Sequence, residues 1–310
     1  GGSAAEDVEG GLMMALALPP DFASRVTRNE PMSRHTSWHV GGPADIFFTP
    51  RDAADVCAFL SQLDPSTPVM WIGLGSNLLV RDGGIRGVVI DTHGVFGELE
   101  RLSATDVWCG AGVACAKLAK QCVKWGLGPA EFFAGIPGTL GGALAMNAGA
   151  FGGETWNHVV KVATVDRFGA RHERTKDEYT VGYRHVSGPP NEWFLGAQLH
   201  FEERPAASTE DIRALLARRK ATQPIGEWSC GSVFTNPPDD HAARLIETAG
   251  LKGTRIGGAR VSEMHANFIV NDGTATAADI EQLIRHVQQV VRERHGVELQ
   301  TEVRIVGETI

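Results

Sequence analysis

Two glycine-rich stretches are the parts of this chain best suited to chemistry. The first reads IGLGSNLLV (Ile72–Val80), and the second reads AEFFAGIPGTLGGALAMNAGAFGG (Ala130–Gly153), in which Glu131 is the one ionisable side chain. Glycine lets a backbone approach a ligand closely, and oriented backbone N–H groups can hold phosphate oxygens without a lysine. Two such turns suit the pyrophosphate at the centre of a dinucleotide.

The first turn does not match either of the common nucleotide motifs in full. Gly73-Leu74-Gly75-Ser76-Asn77 follows a predicted strand and resembles a Rossmann turn, but Leu78 stands where the third glycine would be. The Gly-Lys-Ser/Thr of a P-loop is also missing. By itself, this segment is more typical of a plain structural loop.

The second stretch strengthens the ligand interpretation. Its glycines fall in Gly135-Ile136-Pro137-Gly138 and Gly141-Gly142, and they lead into Asn147-Ala148-Gly149. Surface loops usually carry polar side chains, so a long uncharged one is unusual. A buried crossover packed on itself is the structural alternative. We favour a backbone cradle, with both turns lining a large anionic cofactor that has an apolar body.

Composition limits the classes of function. The chain has 310 residues, 43% of them hydrophobic, and a net charge of −8, which predicts two or three domains and no nucleic-acid surface. Its five cysteines show no C-x-x-C spacing, which indicates free thiols in a reducing compartment and no metal site. The apolar run Leu12–Leu18 follows acidic residues and is too short to cross a membrane. These features predict a soluble, cytoplasmic protein.

The elements expected around the glycine stretches form an α+β fold. A strand at Asp45–Thr49, a helix opened by Pro50 and a strand at Val69–Ile72 suggest a βαβ unit. Capping boxes at Ser208 and Thr276 predict two helices, the first to about Ala221 and the second ending at Gly296. The remaining expected elements are strands at Gly87–Asp91, Asp106–Gly110, Trp193–Glu203 and Thr301–Gly307, a helix over Val113–Trp125, and a hairpin turning at Phe168–Gly169.

A set of motifs in fixed order carries a family resemblance from about His35 to Glu308. They are HVGGPADIFF, GLGSNLLV, GIPGTLGGALAMNAGAFG, GYR, CGSVFTNP, LKGTRIGGARVSEMHANFIVN and TEVRIVGE. Together they resemble the UDP-N-acetylenolpyruvoylglucosamine reductase family. The resemblance implies an FAD-binding fold of the vanillyl-alcohol-oxidase (PCMH) type in two subdomains plus an α+β substrate-binding domain. The expected bounds are 20–80 with the C-terminal strand 303–310, then 81–204, and 205–302 for the substrate domain.

The resemblance also implies a reaction in peptidoglycan precursor synthesis. NADPH would reduce non-covalently bound FAD and leave. UDP-N-acetylglucosamine enolpyruvate would then take the same site, and it would receive hydride from flavin N5 at C3 and a proton at C2 to give UDP-N-acetylmuramate. Such an addition needs cations or hydrogen-bond donors for the developing enolate and an acid for C2.

Individual residues take their expected roles from the matching motifs. Ser232 resembles the proton donor to C2, and Arg184 and Glu302 complete the catalytic set, although the residues alone would favour an ordinary strand-end ion pair. Both glycine stretches, Gly73–Leu78 and the named segments within Gly135–Gly149, would bind FAD. Thr235 stands where many members have lysine or glutamine, which puts a nucleotide contact there in doubt. The remaining assignments are Tyr183, Asn236, Lys252 and His265 to the substrate, and Arg219 to a phosphate of FAD or UDP.

The interval between Arg184 and Ser232 predicts a subclass. It is largely filled by an expected strand and helix, and the two tyrosines of the chain, Tyr179 and Tyr183, both precede it. We therefore expect the short-loop subclass, type II, which lacks a tyrosine-bearing lid, and a monomer. The substrate domain would then close over the uridine about a hinge near Arg204–Ser208, unless the final strand returns to the first domain and limits the motion.

Two other classes of function remain open from the sequence. One is a different flavoenzyme of the same fold, an oxidase acting on another alcohol or sugar. The other is a non-enzymatic nucleotide-sugar binder, which would have no reason to keep a flavin cradle. The visible spectrum of the protein, with NADPH and with or without the enolpyruvyl sugar, separates all three.

Overall fold

The computed structural model describes residues 20–310, so the apolar run Leu12–Leu18 lies outside the described residues. The first unit is a four-stranded sheet in the order β1-β2-β5-β3, in which β2, β5 and β3 run parallel. The expected βαβ unit is present as β2-α1-β3, with β5 inserted between its strands. The elements are β1 (Val26–Pro31), β2 (Pro43–Phe48), α1 (Ala53–Gln62), β3 (Val69–Ile72), β4 (Leu78–Val80) and β5 (Ile85–Asp91).

The position of β5 corrects the expected division at residue 80. Its residues Val88–Ile90 pair with β2 on one side and β3 on the other. Val88 and Ile90 are fully buried with Phe48 and Phe59 in one core. The first unit therefore extends along the chain to Asp91. Strand pairing decides which segments belong to this sheet, and local composition does not reveal that pairing.

The second unit is a five-stranded antiparallel sheet, ordered β12-β11-β15-β7-β6. The hairpin predicted at Phe168–Gly169 is confirmed between β11 and β12. The elements are β6 (Leu99–Arg101), β7 (Asp106–Gly110), α2 (Cys115–Lys124), β8 (Leu127–Gly128), α3 (Leu140–Met146), β9 (Gly149–Ala150), β10 (Gly153–Glu154), β11 (Val159–Asp166), β12 (Arg171–Thr175), β13 (Thr180–Gly182), β14 (His185–Ser187), β15 (Glu192–His200) and β16 (Glu202–Glu203).

The long glycine stretch is more ordered than a loop. It contains a 3-10 helix at Glu131–Gly135 as well as α3. Phe133, Leu140 and Leu144 are completely buried in the core of the second unit. Burial of these side chains stabilises α3, although its two glycines lower its intrinsic helix propensity. The buried-crossover and ligand-cradle interpretations are therefore combined, since one face of the segment is core and the other borders a cleft.

The third unit packs helices on a small antiparallel sheet. Both predicted capping boxes are confirmed, at Ser208 with Asp211 and at Thr276 with Asp279, and Gly296 ends the last helix with a φ of +69°. The elements of this unit are α5 (Ala242–Thr248), β17 (Arg255–Ile256), β18 (Ala259–Val261), β19 (Ile269–Asn271) and α6 (Ala277–His295). The preceding helix, α4 (Thr209–Thr222), instead buries Ile212 in the core of the second unit, although it was expected in the substrate domain. Among residues 20–310, none of the helices is both long and apolar enough to span a bilayer.

The third unit shares a core with the first. Trp38 is completely buried, and its indole N–H donates to the carbonyl of Ile269 at 2.7 Å, while Asn271 Nδ2 donates to the Trp38 carbonyl at 2.8 Å. The Asp82 carboxylate accepts from the first two N–H groups of α6. The last strand, β20 (Arg304–Val306), pairs in parallel with β4. A closing motion about Arg204–Ser208 would have to break these contacts, so the structure opposes that expectation.

Candidate active site

A cleft of about 1100 Å³ opens between the first and second units. The first glycine turn, the Ile136–Gly142 part of the second stretch, Arg184 and the segment Thr301–Val306 line it. A volume of this size suits a cofactor or a large ligand. The parallel strands β3 and β5 end at this cleft, which is where parallel sheets usually bind ligands.

The first turn presents unpaired backbone donors to the cleft. Within residues 20–310, the N–H groups of Gly73, Leu74, Gly75, Ser76 and Asn77 donate to no protein acceptor. Gly75 has a φ of +61°, and a Cβ there would lie 1.9 Å from the carbonyl oxygen of His35. Only glycine fits that position. A run of N–H groups without protein acceptors, in residues that line a cleft, is typical of an anion-binding turn.

The second stretch completes the cradle. A Cβ at Gly138 would lie 3.2 Å from Ser76 Oγ, so the two turns approach each other closely. Gly142 is different, because a Cβ there would meet nothing within 4 Å although the residue lies in α3. Alanine would favour that helix by up to about 1 kcal/mol. The glycine therefore keeps space open on the cleft side, which fits a bound cofactor.

Most of the expected cofactor residues line the cleft, but four do not. A Cβ at Gly135 would lie 2.5 Å from the Phe151 ring, so this glycine is explained by packing. Arg219 lies on α4 and donates from Nε to Gln223 Oε1 at 2.7 Å. Asn147 and Gly149 contact Arg184 instead. The residues that do line the cleft are Gly73, Leu74, Gly75, Ser76, Asn77, Leu78, Ile136, Pro137, Gly138, Gly141, Gly142 and Ala148.

Arg184 and Glu302 form an ion pair in the wall of the cleft. Arg184 Nε donates to Glu302 Oε1 at 3.1 Å, and the side chains are 17% and 14% exposed. The Arg184 terminal nitrogens donate to the carbonyls of Gly149 at 3.0 Å and Asn147 at 3.4 Å. Arg184 lies in the two-residue turn between β13 and β14 with a φ of +53°, a conformation that costs an arginine energy. The surroundings therefore hold this guanidinium in one place.

The environment of Glu302 perturbs its acidity. Burial raises the pKa of the Glu302 carboxyl, and the Arg184 guanidinium opposes that rise. Asn77 Nδ2 donates to the Glu302 carbonyl at 3.0 Å, so the first glycine turn is joined to the backbone of this residue. A carboxyl that keeps its proton more readily than usual, beside a fixed cation, is typical of a catalytic site.

Ser232 lies next to this pair in the fold. The Glu302 N–H donates to the carbonyl of Val233 at 2.8 Å, which makes Ser232 a close neighbour along the backbone. Ser232 is half-buried, and within the described residues its hydroxyl has no hydrogen-bond partner. Ser232 is not among the residues that line the cleft. The structure therefore brings the backbone beside Ser232 next to that of Glu302, and it leaves the serine hydroxyl without a partner among residues 20–310.

The residues expected to bind substrate are more scattered. The half-exposed Tyr183 ring lies 5.0 Å from the Arg184 guanidinium carbon. Asn236 Oδ1 accepts from the N–H of Ala242 at 3.0 Å, at the start of α5. Lys252 Nζ donates to Glu247 at 2.6 Å, and burial lowers the pKa of the nearby His265 imidazole. None of these four lines the cleft.

Several cleft residues were missed from the sequence. Thr139, Met146, Glu192, Trp193 and Arg304 also line it. Thr139 lies within the glycine motif, so its position next to the cofactor residues could have been predicted. Arg304 lies two residues after Glu302, and side chains two apart in a strand point to the same face, so it could also have been predicted. Glu192 and Trp193 had no such local pattern, because the pairing of β15 with β11 brings them here.

Comparison with known proteins identifies the family of this chain. Residues 44–173 match an FAD binding domain, and residues 223–306 match the C-terminal domain of UDP-N-acetylenolpyruvoylglucosamine reductase. Relatives named UDP-N-acetylenolpyruvoylglucosamine reductase include one from Alkalilimnicola ehrlichii, 59% identical over 90% of this chain and 94% of the relative. Another, from Methylococcus capsulatus, is 57% identical over 90% of this chain and 92% of the relative.

A solved structure supports the same assignment. The crystal structure of the reductase from Thermus caldophilus is 34% identical, with a TM-score of 0.77 over 91% of this chain and 98% of its own. The fold class predicted from the sequence, including its FAD-binding part, is thereby confirmed. This chain belongs to the UDP-N-acetylenolpyruvoylglucosamine reductase family and is an FAD-containing oxidoreductase.

Proposed function

We propose that this chain uses NADPH to reduce the enolpyruvyl group of UDP-N-acetylglucosamine enolpyruvate, which gives UDP-N-acetylmuramate for peptidoglycan synthesis. The observation that carries the proposal is the fixed Arg184–Glu302 pair in the wall of a cleft that the two glycine stretches also line. An oxidase of the same fold or a simple nucleotide-sugar binder would not need a buried cation and carboxyl of this kind facing a flavin.

The residues present fit FAD. The N–H groups of Gly73–Asn77 would hold the pyrophosphate, and the open space at Gly142 would accommodate part of the cofactor. Bound FAD would supply a two-electron carrier that accepts a hydride from NADPH and delivers it to the enolpyruvyl group. The attachment is non-covalent in this proposal. Among the described residues no cysteine lines the cleft, and His185, which does, is exposed on β14 and lies outside both glycine stretches.

Arg184 would bind the substrate carboxylate. A guanidinium has five N–H groups, and three of them are used here by Glu302, Asn147 and Gly149. One N–H therefore remains on each terminal nitrogen, which is the pair that a bidentate carboxylate contact requires. The same cation would stabilise negative charge that develops next to the carboxylate during reduction.

Ser232 and Glu302 would supply the proton that C2 receives. Ser232 would donate to C2 of the enolpyruvyl group. Its hydroxyl has no hydrogen-bond partner within residues 20–310, and the next residue, Val233, is hydrogen-bonded to the backbone of Glu302. Burial keeps the Glu302 pKa high, so this carboxyl can share a proton with the developing enolate or help to restore the serine. Its ion pair with Arg184 would keep both groups oriented.

The third unit would bind the UDP part of the substrate. We retain the assignment of the short-loop subclass, because β15, β16 and α4 occupy most of the chain between Arg184 and Ser232. Tyr183, Asn236, Lys252 and His265 remain the proposed substrate contacts, and Arg219 the proposed phosphate contact. We further propose a cytoplasmic monomer with three functional parts, in which the first ends at Asp91 and includes β20.

The test is turnover with product identification. The purified protein should be yellow, should release all its flavin on acid denaturation, and should convert the enolpyruvyl sugar nucleotide with NADPH to a product that has gained one hydride and one proton. UDP-N-acetylglucosamine, which lacks the enolpyruvyl group, is the matched control and should not be reduced. A colourless protein that takes up no FAD, or a flavoprotein that leaves the enolpyruvyl sugar unchanged, would exclude the proposal.

A further inference from the structure

Asn147 was expected to contact the cofactor, but the structure uses its side chain elsewhere. The residue is 2% exposed. Its Nδ2 donates to Glu154 Oε2 at 3.1 Å and to the carbonyl of Gly182 at 3.0 Å. Its Oδ1 accepts from the N–H of Trp156 at 3.0 Å. Both amide protons and one oxygen lone pair are therefore used within the protein.

Asn147 contacts both the backbone hairpin that carries Arg184 and the guanidinium of Arg184. Gly182 is the last residue of β13 before the two-residue turn that carries Arg184. The backbone carbonyl of Asn147 itself accepts from an Arg184 terminal nitrogen at 3.4 Å. One residue thus holds both the hairpin on which Arg184 lies and the guanidinium at the end of its side chain.

The backbone of Asn147 explains why an asparagine is present. The residue ends α3 with a φ of 49° and a ψ of 55°, the left-handed conformation that asparagine tolerates better than most residues. Its N–H donates to the carbonyl of Ala143. Aspartate could adopt this backbone too, but it has no donor for Glu154 or Gly182.

We propose that Asn147 is a positioning residue for Arg184, and that it aims the two unpaired guanidinium N–H groups at the carboxylate of the substrate. The proposal rests on the proposed function, because it concerns the step in which that carboxylate is bound. It does not give Asn147 any contact with flavin or substrate. A misdirected Arg184 would weaken carboxylate recognition and slow enol reduction, but it would leave flavin reduction by NADPH intact.

The test compares one variant with its rescue and a matched control. Asn147→Asp keeps the size and the left-handed backbone but turns the donor into an acceptor facing Glu154. The double variant Asn147→Asp/Glu154→Gln reverses donor and acceptor across this contact and restores one hydrogen bond. Asn29→Asp is the control, since Asn29 is an exposed asparagine with a φ of 53° on β1, away from the cleft.

The first readout is binding to the holoenzyme by calorimetry. We expect wild type to bind UDP-N-acetylmuramate, which has the carboxylate, more tightly than UDP-N-acetylglucosamine, which lacks it. This preference should fall roughly tenfold to a hundredfold in Asn147→Asp, the effect of losing hydrogen bonds to a charged group. It should recover in part in the double variant and stay unchanged in Asn29→Asp.

The second readout separates positioning from general damage. Reoxidation of the reduced flavin by the enolpyruvyl sugar should slow by about a hundredfold, as expected for a misplaced catalytic group, while reduction by NADPH keeps its wild-type rate. An unchanged carboxylate preference in folded Asn147→Asp would overturn the inference, and so would equal loss in both half-reactions with no rescue. If wild type itself shows no carboxylate preference, the proposed function fails. A crystal structure of Asn147→Asp then decides the positioning claim, which requires Arg184 to lose its contact with Gly149.

Discussion

Replacing Gly142 with alanine tests the cofactor cleft, because the two states of the protein should respond in opposite directions. Nothing lies within 4 Å of the position that the new Cβ would take, and Gly142 is in α3. Without FAD, the helix should gain up to about 1 kcal/mol. For a chain of this size, the melting temperature of the apoprotein should rise by about 2 °C.

The holoenzyme should respond differently, because the methyl group enters space that we assign to FAD. Overpacking of a well-fitted contact typically costs about 1–3 kcal/mol, which corresponds to a fall in FAD affinity of roughly fivefold to a hundredfold or more. The affinity is measured by titrating apoprotein with FAD and following the flavin fluorescence. The stability of the apoprotein is measured by urea unfolding of the same preparation.

Gly141→Ala is the matched control in the same helix. A Cβ there would lie 3.1 Å from Ala111 Cβ and 3.2 Å from its carbonyl oxygen, so this variant should destabilise the apoprotein by crowding. The reasoning is refuted if Gly142→Ala binds FAD with wild-type affinity. It is also refuted if Gly142→Ala destabilises the apoprotein as Gly141→Ala does, because the space would then not be open.

Three further predictions follow from the same contacts. Ser232→Ala should slow reoxidation of flavin by the enolpyruvyl sugar about a hundredfold to ten-thousandfold, with reduction by NADPH unchanged; stopped-flow measurements that show equal slowing of both steps would give Ser232 a structural role. Burial raises the folded-state pKa of Glu302, so its contribution to stability is complete below about pH 4.3 and is lost as the pH rises through the folded-state pKa. Urea unfolding between about pH 4 and pH 7 should therefore show Glu302→Gln gaining stability relative to wild type as the pH rises, and a constant difference would count against a buried carboxyl. Trp38→Phe removes the donor to Ile269 and should lower the free energy of unfolding by about 1–3 kcal/mol in one cooperative transition, whereas an unchanged value would show that the first and third units do not depend on this contact.

Local patterns predicted the elements whose signals are local. The strand Val69–Ile72 was placed correctly, because a short apolar run stops at Gly73. The helix α6 was placed within a residue or two, because a capping box at Thr276 and a glycine at 296 mark its ends. In both cases the same residues that give the pattern also make the stabilising contacts.

Pairing between distant segments was not predictable in this way. The insertion of β5 between β2 and β3 moved the domain boundary, since parallel pairing leaves no mark in the sequence of either strand. The helix α3 was expected to be loop, because its glycines disfavour helix in isolation and only the burial of Leu140 and Leu144 stabilises it. The hydrogen bonds that join the first and third units at Trp38 involve Ile269 and Asn271, which are more than two hundred positions away.

The site followed the same rule. Arg184 and Glu302 were chosen from motifs, and the ion pair between them confirms that the fold brings them together. Their roles in the reaction remain predictions. Asn147 and Gly149 lie in a glycine motif that looked like cofactor contact, but they bind Arg184 through backbone carbonyls that no side-chain pattern reveals.

The most direct test of the central claim is an anaerobic titration of the purified flavoprotein. One equivalent of NADPH should bleach the visible flavin absorbance, and one equivalent of UDP-N-acetylglucosamine enolpyruvate should then restore it. UDP-N-acetylglucosamine should leave the flavin reduced. The account is contradicted if the enolpyruvyl sugar fails to reoxidise the flavin, or if the sugar without the enolpyruvyl group does so equally well.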